Sequence, residues 1–147
     1  METDKEEFVG FYEPEFYALS NFASFAVLWR GEVWATSEHA YQAAKFEDEA
    51  IQKEIREARS AHDAKEIARG YAQKVRGDWR EVRVAVMEEI VRAKLSQHTY
   101  IKEKLLESGT KTIIENSPHD AYWGWGPNKD GENRLGKLWM KLREELR

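Results

Sequence analysis

The chain has 147 residues, 41% of them hydrophobic and 34% charged, with a formal net charge of −4 and no cysteine. That length and apolar fraction fit one domain with a real core, and the missing cysteines exclude disulfides, thiolate nucleophiles and cysteine-ligated zinc. The acidic balance argues against non-specific binding to a nucleic-acid backbone, while a local basic pocket around one phosphate stays open.

Residues 1–7 are polar and expected to fray, and residues 8–147 are expected to form the single domain. With acids at Glu2, Asp4, Glu6 and Glu7 and only short apolar runs, neither a signal peptide nor a membrane span is expected, and the chain reads as soluble and cytoplasmic. Phe8 to Tyr12 has the aromatic and β-branched content of a short strand, and Leu19-Ser20-Asn21-Phe22 reads as a loop. Phe25 to Trp34 reads as a β-hairpin with Gly31 in its turn.

Thr36 and Ser37 are N-cap residue types, so the stretch 36–45 opens a helix with Glu38 in its first turn. Glu38, Gln42 and Lys45 then share one side at i, i+4 and i+7, a carboxylate, an amide and an amine spread over roughly 10 Å, comparable with a ribose and its substituents. Asp48 to about Gly77 is helical but highly charged, with thin apolar lines at Ile51, Ile55 and Ala58 and at Ala61, Ala64, Ile67 and Ala68. Ser60 is the cap of the second of these helices, and both read as peripheral.

Asp78 is the N-cap expected for a principal core helix to about Gln97, carrying Trp79, Val82, Val86, Ile90 and Ala93. A shorter helix near 99–108 stops at Gly109, and Thr110 to Glu115 reads as a strand. Asn116 to Gly131 is loop by composition, and its Trp123 and Trp125 must cover a core or form a ligand surface. Asn133 caps a last amphipathic helix with Leu135, Leu138, Trp139, Leu142 and Leu146.

Several chemistries fail on spacing. Glu38-His39 lacks the flanking histidines of a zinc hydrolase, and His39, His62, His98 and His119 are scattered and read as surface or loop residues. Pro127 interrupts any dinucleotide fingerprint, and neither a nucleophile elbow nor a P-loop occurs. No metal or cofactor is expected. Carboxylates at Glu38 and Asp120, an amine at Lys45 and amides at Asn21 and Asn133 remain.

Five separated motifs in order carry a resemblance: Leu19-Ser20-Asn21-Phe22, Thr36-Ser37-Glu38-His39 with Tyr41-Gln42 and Lys45, Asp78-Trp79, Asp120-Ala121-Tyr122-Trp123-Gly124, and Gly131 to Gly136. Together they resemble the NADAR (YbiA-like) family from about Phe8 to Leu146. The resemblance implies a mainly helical α+β fold with a small antiparallel hairpin, and hydrolysis of an N-glycosidic bond. Its substrates are expected to be phosphorylated aminopyrimidine ribosylamines of riboflavin synthesis, with ribose 5-phosphate released, or alternatively ADP-ribosyl adducts on bases. It assigns Glu38, Lys45 and Asp120 to catalysis, and Asn21, Arg69, Trp79, Trp123 and Asn133 to substrate binding. One departure is Ala68-Arg69 where the family pattern has Gly-Arg, at the position given a phosphate or ribose role.

Breaking such a bond builds positive charge on the sugar while the departing nitrogen needs a proton, so a carboxylate and a proton donor are required. Glu38 is the carboxylate expected nearest C1, and Asp120 is expected to bind hydroxyls or handle the proton. Lys45, partly neutral through burial, could exchange with the ribosylamine to give a Schiff base. Trp79 and Trp123 could stack on a flat base at about 1–3 kcal/mol each. A non-catalytic binder of ADP-ribose and a partner-binding helical domain are the competing classes. The expected partner is a small phosphorylated riboside, with no membrane and no long nucleic acid, and the sequence leaves the oligomeric state open.

Overall fold

The computed structural model describes residues 8–147, so the fraying expected at residues 1–7 lies outside the described residues. In order the chain forms β1 (Phe8–Gly10), a 3-10 helix (Pro14–Leu19), β2 (Val27–Trp29), β3 (Glu32–Trp34), α1 (Ser37–Ala43), α2 (Glu49–Arg56), α3 (Ala61–Gly70), a 3-10 turn (Ala72–Lys74), α4 (Trp79–Gln97), α5 (Thr99–Glu107), β4 (Thr112–Ile114) and α6 (Arg134–Glu145). This is the mainly helical α+β class, and the antiparallel pair is β2 with β3. By their contacts the described residues divide into two compact units, one of residues 21–98 and one of residues 8–20 with 99–147.

In the unit of residues 21–98, Arg30 and Gly31 turn the hairpin with φ of 52° and 82°. Two successive positive φ values are those of a type I′ turn, whose twist suits adjoining antiparallel strands. Strand alternation then buries Val27, Trp29 and Trp34 and leaves the cross-strand pair Leu28 and Val33 in solvent. The outer edge of β2 is closed by a side chain: Leu28 N donates to Gln97 Oε1 and Gln97 Nε2 donates to the Leu28 carbonyl, both at 2.8 Å.

Thr36 is extended and its hydroxyl accepts from His39 N at 3.1 Å, which starts α1. Every residue of α1 is buried, because α2, α3 and α4 all pack on it. The charged helices α2 and α3 are therefore not peripheral. Their few apolar residues, Ile51 and Ile55 on one, Ala61, Ala64 and Ala68 on the other, are enough to enclose a seven-residue helix. Asp48 and Ser60 cap them as expected, accepting from Ala50 N and Ile51 N and from Asp63 N. Asp78 stands at the start of α4 but makes no capping bond, because its carboxylate is held by Arg76 at 2.6 and 3.0 Å. Along α4, Val86, Met87, Ile90 and Val91 form the buried face, and Lys94 is buried with them.

In the other unit, β1 and β4 pair in parallel, Phe8 with Thr112, Val9 with Ile113 and Gly10 with Ile114. The 3-10 helix packs on α5, and α6 packs on β4. Gly136 permits that approach, since a Cβ there would run into the Ile113 carbonyl oxygen. On α6, Leu135, Trp139 and Leu142 are buried, and Trp139 Nε1 donates to the Leu19 carbonyl at 3.0 Å. Asn133 precedes α6 without capping it. It is left-handed with φ of 49°, and its side chain instead accepts from Glu115 N and donates to the Ile113 carbonyl, each at 2.9 Å.

Candidate functional site

The α1 helix fixes the first catalytic candidate. Glu38 is only 7% exposed, its backbone N donates to the Asn21 carbonyl at 3.0 Å, and its Oε2 accepts from Gln42 Nε2 at 2.7 Å. The i, i+4 spacing read from the sequence thus becomes a buried hydrogen bond. The helix around it is locked by His39, whose ring nitrogens lie 2.8 Å from Thr36 Oγ1 and 3.0 Å from the Ala58 carbonyl. His39 is therefore neither a surface nor a loop residue: burial of its ring is compensated by both of these bonds.

Lys45 follows the end of α1, half-buried, with its Nζ 5.8 Å from the centre of the Tyr41 ring. Its carbonyl accepts from Arg76 N at 2.8 Å, which ties this segment to the approach of α4. Burial pushes the Lys45 amine below the ordinary lysine value of 10.5. Glu38 opposes that shift, while Lys65, Arg69 and Arg83 add to it. An amine so placed is more often neutral, and hence more nucleophilic, than one in water.

Trp79, half-buried, lies beside the same helix, its ring 5.2 Å from that of Tyr41. Asn21 is buried behind Glu38, donating from Nδ2 to Met87 Sδ at 3.4 Å. Arg69 is exposed and 3.5 Å from Glu66, and it acts on Lys45 through its charge. Of the sequence candidates in residues 21–98, Asn21, Glu38, Lys45 and Trp79 thus gather around α1. Lys65 and Arg83 escaped notice in the sequence, although Lys65 is one helical turn from Arg69 and Arg83 one turn from Trp79.

The remaining candidates belong to the other unit. Asp120 Oδ1 accepts from Tyr122 N at 2.9 Å and Trp123 N at 2.8 Å, so the carboxylate organises its own loop as an Asx turn. Trp123 is buried, edge-on to Tyr122 at 5.0 Å, and Trp125 meets Phe8 at 5.6 Å. Both ends of the Asn133 amide are engaged with the backbone of residues 113 and 115.

Elsewhere in residues 21–98, a cleft of about 320 Å³ is lined by residues including Trp29, Trp34, Phe46 and Arg76, with neither Glu38 nor Lys45 among them. Among the described residues no group of three or more His, Cys, Asp or Glu side chains is arranged to hold a metal ion, and no helix is long and apolar enough to cross a membrane.

The NADAR domain model matches residues 3–147. N-glycosidase YbiA of Escherichia coli is 38% identical over 144 residues, covering 97% of this chain and 90% of that protein. The NMR structure of that E. coli protein superposes with a TM-score of 0.85 over 95% of this chain and 84% of its own. Riboflavin biosynthesis protein VVA0006 of Vibrio vulnificus is 41% identical over 143 residues, 96% of this chain but 39% of that longer protein. The chain has the mainly helical α+β fold of that NMR structure and, with these relatives, is of the N-glycosidase class. The chain belongs to the NADAR domain family.

Proposed function

We propose that this N-glycosidase hydrolyses phosphorylated N-ribosides, foremost the aminopyrimidine ribosylamine phosphates of riboflavin synthesis, and releases ribose 5-phosphate. The observation that carries the reading is the Glu38–Gln42 hydrogen bond of 2.7 Å on the helix that also delivers the depressed Lys45 amine. The riboflavin name of the Vibrio relative supports the substrate class, and the positive charge of Lys65, Arg69 and Arg83 around Lys45 suits a phosphate. Phosphorylated metabolites of this kind are cytoplasmic, and the proposal places the protein there.

In this reading the ribosylamine opens to the imine, and the neutral Lys45 Nζ adds to C1. The C1–N bond to the pyrimidine amine then breaks as that nitrogen takes up a proton, leaving a Lys45–sugar imine. Water adds to C1, the bond to Nζ breaks, and the free amine and ribose 5-phosphate result. Glu38 stabilises the charge that develops at C1. Trp79 supplies a flat surface for the base.

The test offers the purified protein the pyrimidine ribosylamine phosphate and, in parallel, an ADP-ribosylated base. Release of ribose 5-phosphate from the first, reduced at least a hundredfold in both Glu38→Gln and Lys45→Met, is the expected result. Turnover of the adduct alone transfers the substrate to the ADP-ribosyl class, and turnover of neither overturns the proposal in favour of a binding module.

A further inference from the structure

Gln42 holds Glu38 with only half of its amide. The amide nitrogen is the end that faces Glu38, donating to its Oε2 at 2.7 Å. Oε1 therefore points elsewhere, and it is buried with no hydrogen-bond partner among the described residues. Gln42 as a whole is 5% exposed, so bulk water does not satisfy this oxygen. A buried amide oxygen left unmet lowers stability, and a fold keeps such a group where something else completes it.

Two neighbours share the condition. Asn21 Oδ1 and Ser37 Oγ are also buried without a partner among the described residues. Asn21 supplies the carbonyl that receives Glu38 N, and Ser37 precedes Glu38 in the chain. The Gln42 and Asn21 amide oxygens can only accept, so each lacks a hydrogen that a phosphate dianion does not bring and a sugar hydroxyl does. Lys65, Arg69 and Arg83 act on Lys45 through their charge, and that charge suits the phosphate of a sugar phosphate.

We propose that Gln42 is a positioning and specificity-determining residue: Nε2 fixes the Glu38 carboxylate, and Oε1 accepts the hydrogen of the hydroxyl on C2, the carbon next to the one Glu38 addresses. The inference rests on the N-riboside reading above and extends it, because it makes the site select ribosides over 2-deoxyribosides. A site built to bond a hydroxyl rejects the analogue that lacks it, since its own polar atom is then left unpaired.

The experiment measures calorimetric binding of ribose 5-phosphate and 2-deoxyribose 5-phosphate to the wild-type chain and to Gln42→Met, which keeps the volume and removes the amide. The wild type is expected to prefer ribose 5-phosphate by tenfold or more, and the variant to bind the two within about twofold of each other. A merely structural role would weaken both ligands alike and preserve their ratio, which would overturn the inference. Equal affinity in the wild type overturns it without any variant, and so does failure to bind either sugar. The broader reading is judged separately, by release of ribose 5-phosphate from the ribosylamine.

Discussion

At the scale of single residues, half-buried Lys45 and fully buried Lys94 carry opposite expectations. If Lys45 attacks as the free amine, kcat/KM rises with pH as that amine loses its proton. The limb falls below 10.5 because burial, with Lys65, Arg69 and Arg83, depresses it. Lys65→Met removes one of those cations and should move the limb to higher pH, while Lys45→Arg, which keeps the charge but cannot form the imine, should cost at least a hundredfold in kcat. Full activity in Lys45→Arg would remove the covalent step. Lys94, by contrast, is a stability cost. Its amine is buried on α4, 5.7 Å from the Phe25 ring, and desolvation lowers it to about 7. Between that value and the ordinary 10.5 the unfolded chain binds more protons than the folded one, so this residue's contribution to stability rises with pH across the interval. Lys94→Met should therefore raise the melting temperature most at and below pH 7, the gain shrinking towards pH 10.5.

At the scale of elements, the starts and close approaches of helices decide most. Thr36→Val removes the acceptor for His39 N and should cost about 1 kcal/mol in denaturant unfolding. It should also lower kcat, because Glu38 sits in the turn that the cap fixes. Gly136→Ala forces a methyl against the Ile113 carbonyl and should cost about 1–3 kcal/mol. Gly70→Ala, with nothing within 4 Å of the added carbon at the end of α3, should be neutral or slightly stabilising. Equal losses at the two glycines would contradict the packing of α6 on β4. The sequence showed these elements well wherever the signal was local: Thr36 and Ser60 are real caps, and Gly31 lies in the expected turn. It misled at Asp78 and Asn133, whose side chains took better partners than the helix ends beside them.

At the scale of the whole molecule, a chain of net charge −4 repels anions at long range but concentrates cations around Lys45. Inorganic phosphate should therefore inhibit competitively, with an inhibition constant that rises several-fold as added salt shortens the Debye length from about 10 Å at 0.1 M to about 3 Å at 1 M. Salt-independent inhibition would place phosphate recognition away from this cluster.

By itself the sequence determined the helical class, the hairpin and the stripe of Glu38, Gln42 and Lys45, because each depends on residues within a few positions of one another. The tertiary structure decided which members of that stripe are buried, how Gln42 divides its amide, and that Lys65 and Arg83 act on Lys45. It also decided the parallel pairing of Phe8–Gly10 with Thr112–Ile114, strands separated by most of the chain. The physical reason is the same in each case: burial and long-range pairing depend on what packs opposite, and periodicity along one segment carries no record of its neighbour.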